Sequence, residues 1–140
     1  MAFRPVNREE GKIIDLPAYN GGSSATYTKG DAVVFSSGLI AAATSSTATD
    51  VMAIVEETKT VTVDGTLVRC HLVDPSTLIE ADCDAVWSTV DVGTFADLAT
   101  VSTVNPDAST HDIFKIVKGV GVAETGTKVL GFFSRDVTAS

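Results

Sequence analysis

The residues best suited to chemistry in this chain are two cysteines, Cys70 and Cys83, and two histidines, His71 and His111. A metal site would have to draw on these four. Cys70 and His71 are neighbours in a segment with strand character, so their side chains leave opposite faces and do not share one ion. Neither C-x-x-C nor H-x-x-x-H spacing occurs, and a structural zinc site depends on such spacing. Cys70 therefore reads as core, both histidines read as surface polar groups, and no metal is expected. Two cysteines are fewer than a secreted disulfide scaffold of this size carries, so reduced thiols are the default, with a Cys70–Cys83 disulfide as the minor alternative.

Nucleophilic chemistry finds no better footing. Serines are plentiful, yet none sits in a G-x-S-x-G elbow. A triad would have to run through His71 or His111. His111 lies in the polar stretch Ser109-Thr110-His111-Asp112, where a solvated imidazole is the ordinary outcome. The carboxylate pairs Glu56-Glu57 and Asp82/Asp84 fall at a strand end and beside a turn, and read as solvating charges rather than an acid–base couple. Gly119-Val120-Gly121-Val122 hints at a phosphate loop. Its third glycine arrives only at Gly126 and no helix follows, so a flexible hairpin explains it better. The expectation is a non-enzymatic protein with no catalytic residue and no cofactor.

The chain that must position any site has 140 residues, 44% hydrophobic and 20% charged, with a mean hydropathy of +0.25. That length suits one domain with its own core, and the composition excludes a disordered chain. A net charge of −8 and a pI near 4.5 repel phosphate, which argues against a nucleic-acid or anionic-membrane surface. Residues 1–10 lack the apolar core of a signal peptide, and no apolar run approaches the roughly 20 residues of a membrane span. A soluble protein made in a cytoplasm is expected.

Val, Thr, Ile and Phe dominate short apolar runs at 32–35, 39–43, 51–56, 61–63, 67–73, 78–81, 94–98, 113–118 and 129–133. These residues favour strands, and turn residues punctuate the runs. The expected fold is all-β, a small β-barrel or β-sandwich body, with no internal repeat. Asp64-Gly65 signals a two-residue hairpin turn. Pairing Val63 with Thr66 would place Val61, Val63, Val68, Cys70 and Leu72 on a core face, and Thr62, Arg69 and His71 on a wet face with Leu67. Ser36-Ser37-Gly38 predicts a second hairpin, 44–50 an exposed loop, and 119–128 a long hairpin tip or bulged strand. Residues 1–26 read as an extended N-terminal arm, ending in the flexible Asn20-Gly21-Gly22-Ser23-Ser24, before a β-rich body over 27–140. Its anchors Phe3, Val6, Ile13 and Ile14 make sense if the arm docks on something.

The order of motifs resembles that of the capsid decoration (cement) proteins of tailed bacteriophages. Tyr27-Thr28-Lys29-Gly30-Asp31-Ala32-Val33 is similar to the opening of their first body strand, and Gly38-Leu39-Ile40-Ala41-Ala42-Ala43 to the return strand. At 51–55 the chain carries Met52-Ala53-Ile54 where a glycine is usual. Val73-Asp74-Pro75-Ser76-Thr77 followed by Ile79-Glu80-Ala81 continues the series, with Ile79 replacing an aromatic residue. Val92-Gly93-Thr94-Phe95-Ala96-Asp97-Leu98, Asn105-Pro106, Phe114-Lys115-Ile116-Val117 and Val129-Leu130-Gly131-Phe132-Phe133 complete it. The resemblance spans 27–134. It implies a homotrimeric β-rich subunit on the outer capsid surface of a virion, bridging capsomers of the major capsid protein.

On that reading the mechanism is mechanical. The body is a rigid plug. The arm lays Phe3, Val6, Ile13 and Ile14 against the shell or neighbouring subunits, with Arg4 and Arg8 pairing acidic groups there. Deleting residues 1–16 would then leave a folded body that binds capsids less. No nucleic-acid or membrane partner is expected. The alternative is a carbohydrate- or receptor-binding β-module of a viral fibre or spike, with Trp87, Tyr19 and Tyr27 as stacking groups, although aromatic residues are only 6% of the chain.

Overall fold

The computed structural model describes residues 2–6, 12–47, 51–74 and 76–133. It is all-β, as the composition predicts. The strands are β1 (Phe3–Pro5), β2 (Ile13–Ala18), β3 (Ala25–Tyr27), β4 (Ala32–Ser36), β5 (Leu39–Ala42), β6 (Ala53–Val55), β7 (Lys59–Val61), β8 (Thr66–Leu72), β9 (Ile79–Cys83), β10 (Phe95–Thr100), β11 (Thr103–Asn105), β12 (Phe114–Val120) and β13 (Lys128–Phe133). A single 3-10 turn, Thr89–Asp91, precedes β10. Among the described residues no helix is long and apolar enough to cross a membrane.

The strands form two small rings rather than one large barrel. In the first, β2, β5, β4, β6 and β8 follow one another around a closed circuit. In the second, β9, β11, β10, β12 and β13 do the same, because β13 returns to β9. Each ring is narrow and is filled by side chains. Ala18, Val33, Ile40, Ala53, Val55, Val68 and Cys70 fill the first, joined by Tyr27 and Val61 from the separate β3–β7 ribbon. The second core gathers Ala96, Leu98, Val104, Phe114, Ile116, Val129 and Phe133, and extends to Phe3, Ala32 and Ile54 from the first half. One apolar cluster thus runs from the second ring onto the first.

The two rings share one topology, which the sequence does not announce. In each, the first strand pairs parallel with the third and antiparallel with the fifth, while the second pairs with the third and fourth. The registers match too. Ala18 opposite Ile40 corresponds to Cys83 opposite Val104. Leu16 opposite Val68 corresponds to Ala81 opposite Val129, and Ala53 opposite Leu72 to Phe114 opposite Phe133. Few equivalent residues are identical, because a pleated core position asks for an apolar side chain of fitting volume and not for one residue type. That is why reading the chain alone finds no repeat.

The hairpins come out differently. Ser37 and Gly38 turn β4 into β5, both at positive φ of 53° and 84°, the conformation that a two-residue hairpin requires. The Asp64-Gly65 turn also forms, with Thr66 N–H donating to the Val63 carbonyl at 3.2 Å and Gly65 at φ 91°. Its flanks do not pair with each other. Instead β7 pairs with β3, and β8 lies between β2 and β6. The predicted core face holds for Val61, Val68 and Cys70, fails at Val63, which is 65% exposed, and is only half met at Leu72. His71, expected to be wet, is fully buried, because the outer face of β8 meets Ile54 across β6 at the start of the inter-ring cluster.

The described residues of 1–26 do not lie free of the body. β1 is an edge strand of the second sheet, paired to β9 as Phe3 to Ala81, Arg4 to Glu80 and Pro5 to Ile79. β2 is one wall of the first ring, paired over its whole length with β8. Of the apolar anchors read in the sequence, Phe3 docks on its own body, while Val6, Ile13 and Ile14 keep exposed side chains.

Candidate functional site

The expected contact residues fall into three groups. Phe3 is 1% exposed and closes a cluster of three rings, 5.0 Å from Phe133 and 6.2 Å from Phe114 between centroids. It is placed there by β1 passing over Gly30, whose carbonyl accepts the Phe3 N–H at 2.9 Å. Gly30 lies at φ 95°, and a Cβ on it would run into Ala2. A core position of this kind leaves Phe3 no surface to offer a shell.

Arg4 is engaged as well. Its guanidinium reaches Glu80 at 2.8 Å and Asp82 at 3.2 Å. Asp82 also takes the Ala2 N–H at 2.8 Å and the Lys128 ammonium. Burial works to raise the Asp82 carboxyl, and the bonds from Arg4, Lys128 and Ala2 outweigh it, so it sits well below the usual carboxylate range. This cluster tethers the chain start to the second ring, in place of the acidic shell groups expected to meet Arg4.

The third group stays on the surface. Val6 at the end of β1 and Ile13 and Ile14 at the start of β2 are 52%, 38% and 45% exposed. Arg8 lies outside the described residues. Leu67, the apolar residue expected on the wet face, is there and exposed beside Pro17. Ile13, Asp15, Pro17, Arg69 and Leu67 share the outer face of the β2–β8 pair, with Asp15 and Arg69 3.3 Å apart.

The residues weighed for chemistry do not converge. Among the described residues no group of His, Cys, Asp and Glu could hold a metal ion. Cys70 and Cys83 are free thiols in different rings, each pushed up to about 12 by burial and then by nearby carboxylates. His71 lies against Glu56, with Nδ1 to Oε1 at 3.6 Å, both sealed from solvent. His111 belongs to the 106–112 loop, where the buried Asp97 accepts the backbone N–H of Thr110, His111 and Asp112 at 2.6–3.0 Å. That acid holds a loop in shape. The sequence singled out Asp97 only as part of a motif; a carboxylate two strands away from its donors carries no local signal.

The stacking groups of the alternative reading are also dispersed. Tyr27 is buried, and its hydroxyl donates to the Tyr19 and Ile40 carbonyls at 2.7 and 3.1 Å. Trp87 lies flat against Gly119, where any Cβ would strike its ring, and donates to the Val120 carbonyl at 3.1 Å. Only Tyr19 keeps an open face. No family model, curated protein or solved structure matches this chain.

Proposed function

We propose that this protein is a capsid decoration protein of the tailed-bacteriophage kind, a structural plug that binds the outer surface of a viral shell and bridges capsomers. What supports the reading is that its motifs fall on strands or lead directly into them. The motif over 27–33 leads through Gly30 into β4, 38–43 is the return strand β5, 92–98 leads into β10, and 129–133 is most of β13. A folded body of two filled rings, with apolar side chains left exposed at Val6, Ile13 and Ile14 among others, suits a part that transmits load. The proposed partners are the major capsid protein and two further copies of the chain. Trivalency would multiply modest single contacts into tight retention.

With Phe3 and Arg4 committed to the body, the proposed shell contacts are Val6, Ile13 and Ile14, with Arg8, which lies outside the described residues, kept as the basic contact. The test is electron microscopy of expanded capsids incubated with the protein. Added density at local threefold positions is the expected result. Capsids that stay bare at saturating protein overturn the reading, and glycan-array binding by the free protein would turn it toward the carbohydrate-binding alternative.

A further inference from the structure

Among the described residues, the repeated topology exposes an edge that one ring fills and the other leaves open. In the second ring the outward edge of β9 is occupied by β1, running antiparallel, with the Val6 N–H donating to the Leu78 carbonyl at 2.8 Å. In the first ring the equivalent strand is β2, where Ile13, Ile14 and Asp15 stand for Leu78, Ile79 and Glu80. Its inner edge is taken by β8: the Leu72 N–H donates to the Lys12 carbonyl at 2.7 Å. By strict alternation, Ile14 and Leu16 also address β8, while Ile13 and Asp15 turn their N–H and C=O groups outward. β5 meets β2 only at Ala18. No described strand lies along Ile13–Asp15, and the side chains of all three residues are exposed.

We infer that the outer edge of β2 at Ile13–Asp15 is an acceptor for an extended segment of another protein chain, antiparallel and patterned apolar–cation–apolar, as Phe3-Arg4-Pro5 is on β9. The chemistry of the occupant is read from the filled edge. Arg4 pairs with Glu80 there, and Asp15 takes the place of Glu80 here. The first ring offers one carboxylate and not two, since Pro17 stands where Asp82 does, and Asp15 already touches Arg69 at 3.3 Å. The net charge of −8 favours a basic strand over a second copy of this acidic chain. Backbone pairing supplies the affinity and the alternating side chains the selectivity, the usual division of labour in strand addition. The edge can accept such a strand whether or not the protein decorates a capsid.

The probe is a capped peptide, Ala-Phe-Arg-Pro-Val, titrated into the full chain and followed by amide NMR and hydrogen exchange. Shifts centred on residues 13–16, with the Ile13 and Asp15 amides gaining protection, are expected. Replacing the peptide's arginine with glutamate should weaken binding about tenfold, the equivalent of one charge-assisted hydrogen bond. Asp15→Pro removes one outward N–H at a position type where Pro17 already sits, so it should abolish protection at Ile13 while thermal unfolding stays near that of the parent. Unprotected Ile13 and Asp15 amides in excess peptide would overturn the inference, as would equal binding of the glutamate peptide. So would a dimer by sedimentation that pairs β2 with β2. The peptide experiments use the unaltered protein, so they decide the matter even if Asp15→Pro fails to fold. Particle binding, measured apart, reads the capsid proposal alone.

Discussion

Single residues hold the chain start to the body, and the consequences can be measured. Phe3 is a fully buried ring packed on two others, so Phe3→Ala should cost about 3–5 kcal/mol, read from denaturant midpoints at unchanged slope. Asp82 gives a pH signature. Its folded carboxyl lies below the unfolded value of 3.8, so its stabilisation is complete above about pH 5 and declines as the pH falls through the unfolded value. It vanishes only below the depressed folded value. Thermal unfolding between pH 6 and pH 2 should therefore fall more steeply for the parent than for Asp82→Asn, which starts about 2 kcal/mol lower at neutral pH. The two thiols, raised to about 12 and buried, should react with a disulfide reagent only on unfolding, since the thiolate is the nucleophile. Rapid labelling in native buffer would contradict the burial.

At the scale of elements, β1 and β2 bind the described residues of 1–18 into the body. β1 supplies Phe3 to the larger core, and β2 is a wall of the first ring. Deletion of residues 1–16 should therefore lower the thermal midpoint sharply or prevent folding, and cannot serve as a clean test of an arm. The β12–β13 pair makes a second point. Gly131 faces the Lys115 carbonyl and the Phe114 ring so closely that a Cβ has nowhere to go. The obstacle includes backbone, which does not yield as a side-chain tip would. Gly131→Ala should cost about 3 kcal/mol by overpacking, while alanine at the exposed Gly22 meets no neighbour and pays only for its positive φ.

For the whole molecule, the distribution of apolar surface matters more than any one group. Val6, Ile13, Ile14 and Leu67 are exposed on or beside β1, β2 and β8. If Ile13 and Ile14 carry the proposed attachment to a shell, a double variant Ile13→Ser and Ile14→Ser should reduce capsid occupancy at least about tenfold, two exposed side chains each losing up to about a kcal/mol of the burial that attachment would bring. Its unfolding midpoint should fall far less than that of Phe3→Ala, because both side chains are partly exposed where Phe3 is buried. Full occupancy by the folded double variant would remove these residues from the interface.

Composition and spacing alone established a good deal. β-branched and aromatic runs between turn residues define strands, so the all-β class, the Ser37-Gly38 hairpin and the exposed start of the 44–50 loop were legible, and the hairpin between β12 and β13 was legible with its tip narrower, 121–127, than the 119–128 expected. Cys70 and His71 were legible as facing opposite ways, since alternation along a strand is a local rule. What residues 1–26 do was not legible, nor was the burial of His71 or the partner of each strand. An apolar residue in a leader says that it wants a surface, and nothing in its own neighbourhood says whose. Strand pairing is a contact between distant segments, chosen by how the two rings pack and close. Only the tertiary structure could therefore turn the leader into a wall of the body, and reveal beside it a strand edge whose counterpart in the other ring is already filled.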